Sequence, residues 1–231
     1  AQLSGVDATG WSWGALLFDF DNDGWKDIYV CNGISRDLTD QDFLQYFSGQ
    51  EVLRQVRQGG LDYMDLLKKM PSVPVLDYAF VNKGNLFFEN QTKKLGITRP
   101  GFSNGAAYGD LDNDGDLDLV VNNVNSEASV YRNSASEKFK NHYLKIRLQG
   151  NEGNAFGIGA RVSVFTKGNR QVAEQMPGRG FQSSVEPVLF FGLGEADLVD
   201  SLVVSWLGSK RQVMKNLETD TTIVLRQADA I

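Results

Sequence analysis

Asp19-Phe-Asp-Asn-Asp-Gly-Trp-Lys-Asp27 decides the fold, because the chain carries it twice. Ninety-one residues on, Asp110-Leu-Asp-Asn-Asp-Gly-Asp-Leu-Asp118 repeats it, and over the wider windows 14–32 and 105–123 ten of 19 positions are identical. Short apolar stretches flank each copy: Ala15 to Phe18 and Ile28 to Val30 around the first, Ala106 to Tyr108 and Leu119 to Val121 around the second. Apolar and aromatic runs of this length are strand-like, and self-similarity at a fixed offset marks an array of like units. The unit reads as strand, acidic loop, strand.

Four carboxylates within nine residues repel one another unless a cation neutralises them. The pattern Asp-x-Asp-x-Asp-Gly-x-x-Asp places Asp19, Asp21, Asp23 and Asp27 in one copy and Asp110, Asp112, Asp114 and Asp118 in the other. Hard oxygens at positions 1, 3, 5 and 9, with a backbone carbonyl at position 7 from Trp25 or Asp116, suit Ca²⁺. Gly24 and Gly115 at position 6 permit the reversal that turns this carbonyl inward. Mg²⁺, which demands strict octahedral geometry and retained waters, fits less well. An EF-hand is excluded, because position 12 is Val30 or Val121 rather than Glu and the flanks are β-like. The rival reading, a solvated acidic turn without metal, has to explain the same spacing twice. Five protein ligands leave little open coordination for a substrate, so two structural Ca²⁺ sites and no catalytic residues are expected.

A second hairpin follows the first copy. Tyr78 to Val81 and Leu86 to Phe88 flank the turn Asn82-Lys-Gly-Asn85, and Ser129 to Arg132 is the counterpart in the second copy. Two hairpins per copy predict about two four-stranded repeats. Between the hairpins of the first copy, residues 36–74 have helical spacing. Thr39 is placed to cap a helix through Phe43, Leu44, Tyr46 and Phe47; Val52, Leu53 and Val56 mark a second; Leu61 to Met70 mark a third, closed by Pro71. A short helical cap packed over the sheet is expected.

From Asn141 the texture changes to alternating strands without acidic loops. Tyr143 to Leu148, Ala160 to Phe165, Gln171 to Glu174, Val188 to Phe191, Ser201 to Trp206 and Thr222 to Leu225 are six candidate strands, punctuated by glycine pairs such as Gly192 and Gly194. The chain therefore divides into a repeat region, 1–140, and a small β-sandwich or barrel-like module, 141–231. Charge follows this boundary, with 13 basic and 20 acidic residues before it and 10 and 9 after.

The 231 residues carry a net charge of −6, and eight of the 29 acidic residues lie at the proposed ligand positions. A general binder of nucleic acid is excluded, since that needs clustered Lys and Arg. Arg161, Lys167, Arg170 and Arg179 read as a solvated basic face instead. The single cysteine, Cys31, and single histidine, His142, rule out a disulfide framework, a multi-Cys zinc site and a His-rich centre. Cys31 reads as a buried apolar group and His142 as structural. No apolar run approaches the ~20 residues of a membrane span. No Gly-x-Ser-x-Gly elbow or phosphate loop is present. The chain begins at Ala1 with no Met or charged n-region, which reads as a processed chain or an excised fragment.

The Gly-Ala-x-x-x-Asp-x-Asp-x-Asp-Gly-x-x-Asp repeats resemble the FG-GAP/VCBS blades of integrin-type β-propellers. Asn141-His-Tyr-Leu144, Gly157-Ile-Gly-Ala-Arg-Val162, Gly178-Arg-Gly-Phe-Gln-Ser183, Phe191-Gly-Leu-Gly194 and Val203-Val-Ser-Trp206 resemble the ASPIC/UnbV domain, which follows such blades in secreted and bacterial surface proteins. The resemblance implies a mainly β fold, partial propeller blades followed by the small module, with Ca²⁺ in the hairpin loops. It also implies a secreted, periplasmic or cell-surface setting. Two blades do not close a ring, so upstream blades or self-association are expected to cover the open edges. The function expected is extracellular recognition or adhesion toward a protein or a glycan, with Trp11, Trp13 and Trp25 available either for sugar stacking or for blade packing. The alternative is an accessory piece of a polysaccharide-processing enzyme.

Overall fold

In the computed structural model, residues 2–231 are described. Strands β1 (Ser12–Phe18) and β2 (Asp27–Asn32) form an antiparallel hairpin across the first acidic loop. With β3 (Tyr78–Asn82) and β4 (Phe88–Asn90) they make a four-stranded sheet in the order β1-β2-β3-β4. The fourth strand begins only at Phe88, because Asn85 and Leu86 adopt positive φ and lengthen the turn beyond the expected Asn82–Asn85.

The second repeat is β5 (Ser103–Gly109), β6 (Asp118–Asn123) and β7 (Ser129–Tyr131), a three-stranded antiparallel sheet. The expectation of four strands is corrected here. After β7 the chain turns into the short helix α4 (Ala135–Lys138) and leaves the sheet. The two repeats share one apolar core, in which Leu16, Phe18 and Tyr29 of the first meet Ala106, Leu119 and Val121 of the second. A buried polar contact adds to it. The Asp77 carboxylate accepts from the Tyr29 hydroxyl (2.6 Å), from the Asn32 backbone N–H (2.8 Å) and from Ser103 of β5.

Between β2 and β3 lie α1 (Gln41–Phe47), α2 (Gln50–Arg57) and α3 (Tyr63–Lys69). Asp40, not Thr39, caps α1, by accepting from the Phe43 N–H, and Asp62 caps α3; Thr39 instead donates its hydroxyl to Asp37. The insertion does not bury its apolar side chains over the sheet as expected. Phe43, Val52 and Met70 are buried, whereas Leu44, Phe47, Leu53, Val56, Tyr63 and Met64 are exposed.

The remaining strands are β8 (His142–Gln149), β9 (Arg161–Thr166), β10 (Asn169–Glu174), β11 (Val188–Gly194), β12 (Leu198–Ser205), β13 (Arg211–Glu218) and β14 (Thr221–Arg226). They form two sheets, β10-β9-β12-β13 and β11-β8-β14, with β14 parallel to β8. Alternation along β8, β9 and β12 sends Leu144, Ile146, Val162, Val164, Leu202 and Val204 into one core between the sheets. This is a sandwich with neither sheet closed on itself. It has seven strands rather than the expected six, β13 being the addition. The protein is thus mainly β, as its sequence pattern implies. Among the described residues no helix is long and apolar enough to cross a membrane.

Candidate metal centres

Each acidic loop joins the two strands of a hairpin, and the two loops share most of their bonds; the Asp23 N–H donates to Asp19 (3.2 Å), whereas the matching Asp110 Oδ1 has no partner. Asn22 and Asn113 at position 4 are left-handed (φ 59° and 62°), and Gly24 and Gly115 at position 6 both have φ 94°. The carboxylate at position 1 accepts from the glycine N–H: Gly24 to Asp19 at 2.9 Å, Gly115 to Asp110 at 3.1 Å. The carboxylate at position 5 accepts from position 7: Trp25 to Asp23 at 2.7 Å, Asp116 to Asp114 at 3.2 Å.

Position 9 staples the hairpin. Asp27 accepts from the backbone N–H groups of Phe20 (2.7 Å) and Asn82 (2.8 Å), and Asp118 accepts from those of Leu111 (2.9 Å) and Asn133 (2.7 Å). The Asn82 and Asn133 side-chain amides return to the Lys26 and Leu117 carbonyls. Asn82 ends β3 and Asn133 lies two residues beyond β7; the sequence shows Asn82 as a turn residue only. The 40-odd residues of helical insertion shift their spacing to 51, and the shared signal is an aromatic residue two positions before (Phe80, Tyr131).

Carboxylate oxygens of Asp19, Asp21 and Asp27 lie within 4.8 Å of one another, as do those of Asp110, Asp112 and Asp114. Asp23 and Asp118 stand outside these clusters, engaged with backbone N–H groups. Trp25 is exposed, whereas the Asp116 side chain is buried, with one oxygen on the Ser136 N–H and the other unpartnered.

The loops differ in charge environment. Asp19 is 2% exposed and Asp27 1% exposed, and among the described residues no carboxylate of the first loop forms an ion pair. Burial, followed by the neighbouring Asp23, pushes Asp19 up to about 8, and burial pushes Asp27 up to about 7. The second loop is met by cations of the chain itself. Arg132 pairs with Asp112 (2.8 Å) and Asp114 (3.3 Å) and holds Asp112 below the usual carboxylate range; Lys145 of β8 pairs with Asp110. One Asp110 oxygen, Oδ1, is buried without a partner.

Both loops rest on the C-terminal sandwich. The Asn22 carbonyl accepts from the Gly194 N–H (2.8 Å), and the Asp21 carbonyl accepts from the Asn141 side chain (2.7 Å). A Cβ on Gly192 would fall on the Asp19 carboxylate, so only glycine fits at this close approach. Asn22 also donates to the Gly115 carbonyl (2.9 Å), tying one loop to the other. The sequence presented Gly192 and Gly194 as strand punctuation. Their contact with a loop about 170 residues earlier is a tertiary fact.

The other candidate residues are placed as follows. Cys31 is fully buried and its thiol is pushed up to about 12 by burial, as an apolar core group should be. His142 pairs through Nδ1 with Asp220 (2.6 Å), beside the turn that enters β14. Trp13 donates to the Gly33 carbonyl (2.7 Å) and packs 5.0 Å from the Phe181 ring, with Trp11 behind it, so this pair joins the first sheet to the sandwich. Arg161 and Arg170 share the outer face of the β9–β10 pair, where Arg161 pairs with Glu174 and Arg170 lies over Phe165; Lys167 pairs with Asp197 at the adjoining turn.

Hairpin repeats with paired acidic loops, seated on a seven-stranded sandwich, define a modular β protein. Residues 150–231 match the family model described as ASPIC and UnbV, and the chain carries an ASPIC/UnbV domain there. The chain is also similar to cartilage acidic protein 1 from Xenopus tropicalis, Homo sapiens and Mus musculus, 34% identical in each case over 114 residues. That stretch is 48% of this chain and 17% of each relative, so the chain matches about a sixth of their length.

Proposed function

We propose that the chain is a Ca²⁺-stabilised recognition or adhesion module that works outside the cell or at its surface. Asp19, Asp21, Asp23 and Asp27, with the Trp25 carbonyl, would hold one ion; Asp110, Asp112, Asp114 and Asp118, with the Asp116 carbonyl, a second. The observation that carries the reading is the pair of buried carboxylates, Asp19 and Asp27, converging with Asp21 in a loop that the chain builds twice. Buried charge of one sign is costly until a cation joins it. The unpartnered, buried Asp110 oxygen supports the same donor chemistry in the second loop. Ca²⁺ would supply charge neutralisation and rigidity, and no reaction step is assigned to it.

The relatives are named for cartilage, a tissue rich in extracellular matrix, which supports a secreted or cell-surface setting. Extracellular Ca²⁺ fills even sites of about 10⁻⁴–10⁻³ M affinity. Stiffened hairpins then present exposed side chains such as Trp25 to a protein or glycan. Further repeats, or a second copy, would cover the free edges β4 and β7. The test is thermal unfolding in Ca²⁺ and in EDTA. Ca²⁺ should raise Tm by several degrees and EDTA should reverse the rise; a Tm indifferent to both removes the reading. A glycan array on the Ca²⁺-loaded chain then separates sugar from protein partners.

A further inference from the structure

Two adjacent strands of the sandwich carry the groups that meet the acidic loops. In the β8–β11 pairing Tyr143 stands opposite Gly192, and Lys145 opposite Phe190. From β11, Gly192 leaves room for the Asp19 carboxylate and brings no charge. From β8, Tyr143 packs on Gly115, and Lys145 places its ammonium on Asp110 Oδ2. Both partners are withdrawn from water, with side chains 13% and 4% exposed for Lys145 and Asp110. The other Asp110 oxygen remains unpartnered, and carboxylate oxygens of Asp112 and Asp114 lie within 4.8 Å. The loops therefore differ in their cations: Arg132 pairs with Asp112 and Asp114 of the second, and Lys145 reaches its Asp110 from the sandwich, whereas Lys26 beside the first forms no ion pair with it.

We propose that Lys145 is the resident counter-ion of the second acidic loop, and that Ca²⁺ enters there only by displacing it from Asp110. This rests on the reading of the loops as Ca²⁺ sites and makes them unequal. The first loop meets an incoming ion with carboxylates that form no ion pair, Lys26 being nearby without bonding to them. At the second, the ion must take Asp110 from an ammonium and leave that ammonium without its buried partner, which is costly. The sandwich thereby sets the order of filling, first loop before second.

The experiment is calorimetric Ca²⁺ titration of the full chain, wild type against Lys145→Met. Wild type should show two affinity classes at least tenfold apart, and Asp19→Asn should remove the tighter one. Lys145→Met should tighten the weaker class several-fold without equalising the two, because Arg132 still pairs with Asp112 and Asp114. Equal affinities in wild type, or a weaker class unmoved by Lys145→Met, overturns the proposal while leaving Ca²⁺ binding intact. No Ca²⁺ heat in either protein, with Tm unchanged by Ca²⁺, overturns the Ca²⁺ reading itself and the proposal with it. Lys145→Gln, a polar variant of similar length, provides a second readout by thermal unfolding. It should lower Tm in EDTA and leave Tm in saturating Ca²⁺ near that of wild type. An equal fall under both conditions marks an ordinary structural ion pair and overturns the proposal.

Discussion

The repeat region and the C-terminal sandwich are held together by different chemistry. Asp19, Asp27, Asp77, Asp116 and Asp118 are buried in the repeat region, and among the described residues the sandwich buries no carboxylate. Its interior is instead a continuous apolar cluster from Leu144 to Ala230. A sandwich of this kind is stabilised by area removed from water and responds little to ions. Loops built from buried carboxylates depend on how each oxygen is satisfied, and so on cations. One chain thus contains a half held by apolar burial and a half whose loops, read as Ca²⁺ sites, would depend on metal, and four experiments attack that division.

Asp27→Ala should be the most damaging. It removes the acceptor of two backbone N–H groups, from Phe20 and Asn82, and each orphaned buried donor costs ~1–3 kcal/mol. Urea unfolding should show a loss of about 4 kcal/mol together with loss of the Ca²⁺-induced Tm rise from the first loop. Survival of that rise would break the assignment. Leu202→Ala opens the fully buried sandwich core and should cost about 3 kcal/mol. Its loss should be the same in Ca²⁺ and in EDTA, and a Ca²⁺-dependent loss would dissolve the division between the halves.

Gly192→Ala tests the seam. The new methyl meets the Asp19 carboxylate and the Asn22 backbone, an overpacking of about 2 kcal/mol. Ca²⁺ affinity at the first loop should fall with it, whereas the second loop's should be unchanged. A pH slope tests the same burial without a mutation. In chelator the folded chain keeps protons on Asp19 (about 8) and Asp27 (about 7) that the unfolded chain releases near 3.8. The folded state binds more protons across that window, so its stability falls as pH rises from about 4 to about 8. Tm in EDTA should decline from pH 5 to pH 8 and flatten in Ca²⁺; a rise in EDTA over that range contradicts the burial of these groups.

Local patterns made much of this legible. The acidic loops, their flanking strands and the helical insertion announce themselves through spacing, glycine and proline, all interactions over a few residues. Long-range features did not. Strand β13 escaped notice because it lies at a sheet edge with no fully buried residue, so alternation along Arg211–Glu218 is faint. Nothing around Ser134 shows that α4 replaces a fourth strand. Thr39 and Asp40 are both good caps, and only geometry chose Asp40. The loop positions were readable, but Lys145, Gly192, Asn82 and Asn133 were not, because each acts on a loop from elsewhere in the chain.

The place of β8 has a consequence in time. It lies between β11, some 40 residues later, and β14, more than 70 residues later, and its Lys145 and Tyr143 lean on the second loop. The repeat hairpins close over a few residues, whereas β8 waits for distant strands, and such non-local pairing is the slow part of folding. The acidic loops are therefore drawn early and finished late. Until the sandwich closes, Asp110 lacks the ammonium of Lys145, and closure is the event that brings that contact to the second loop.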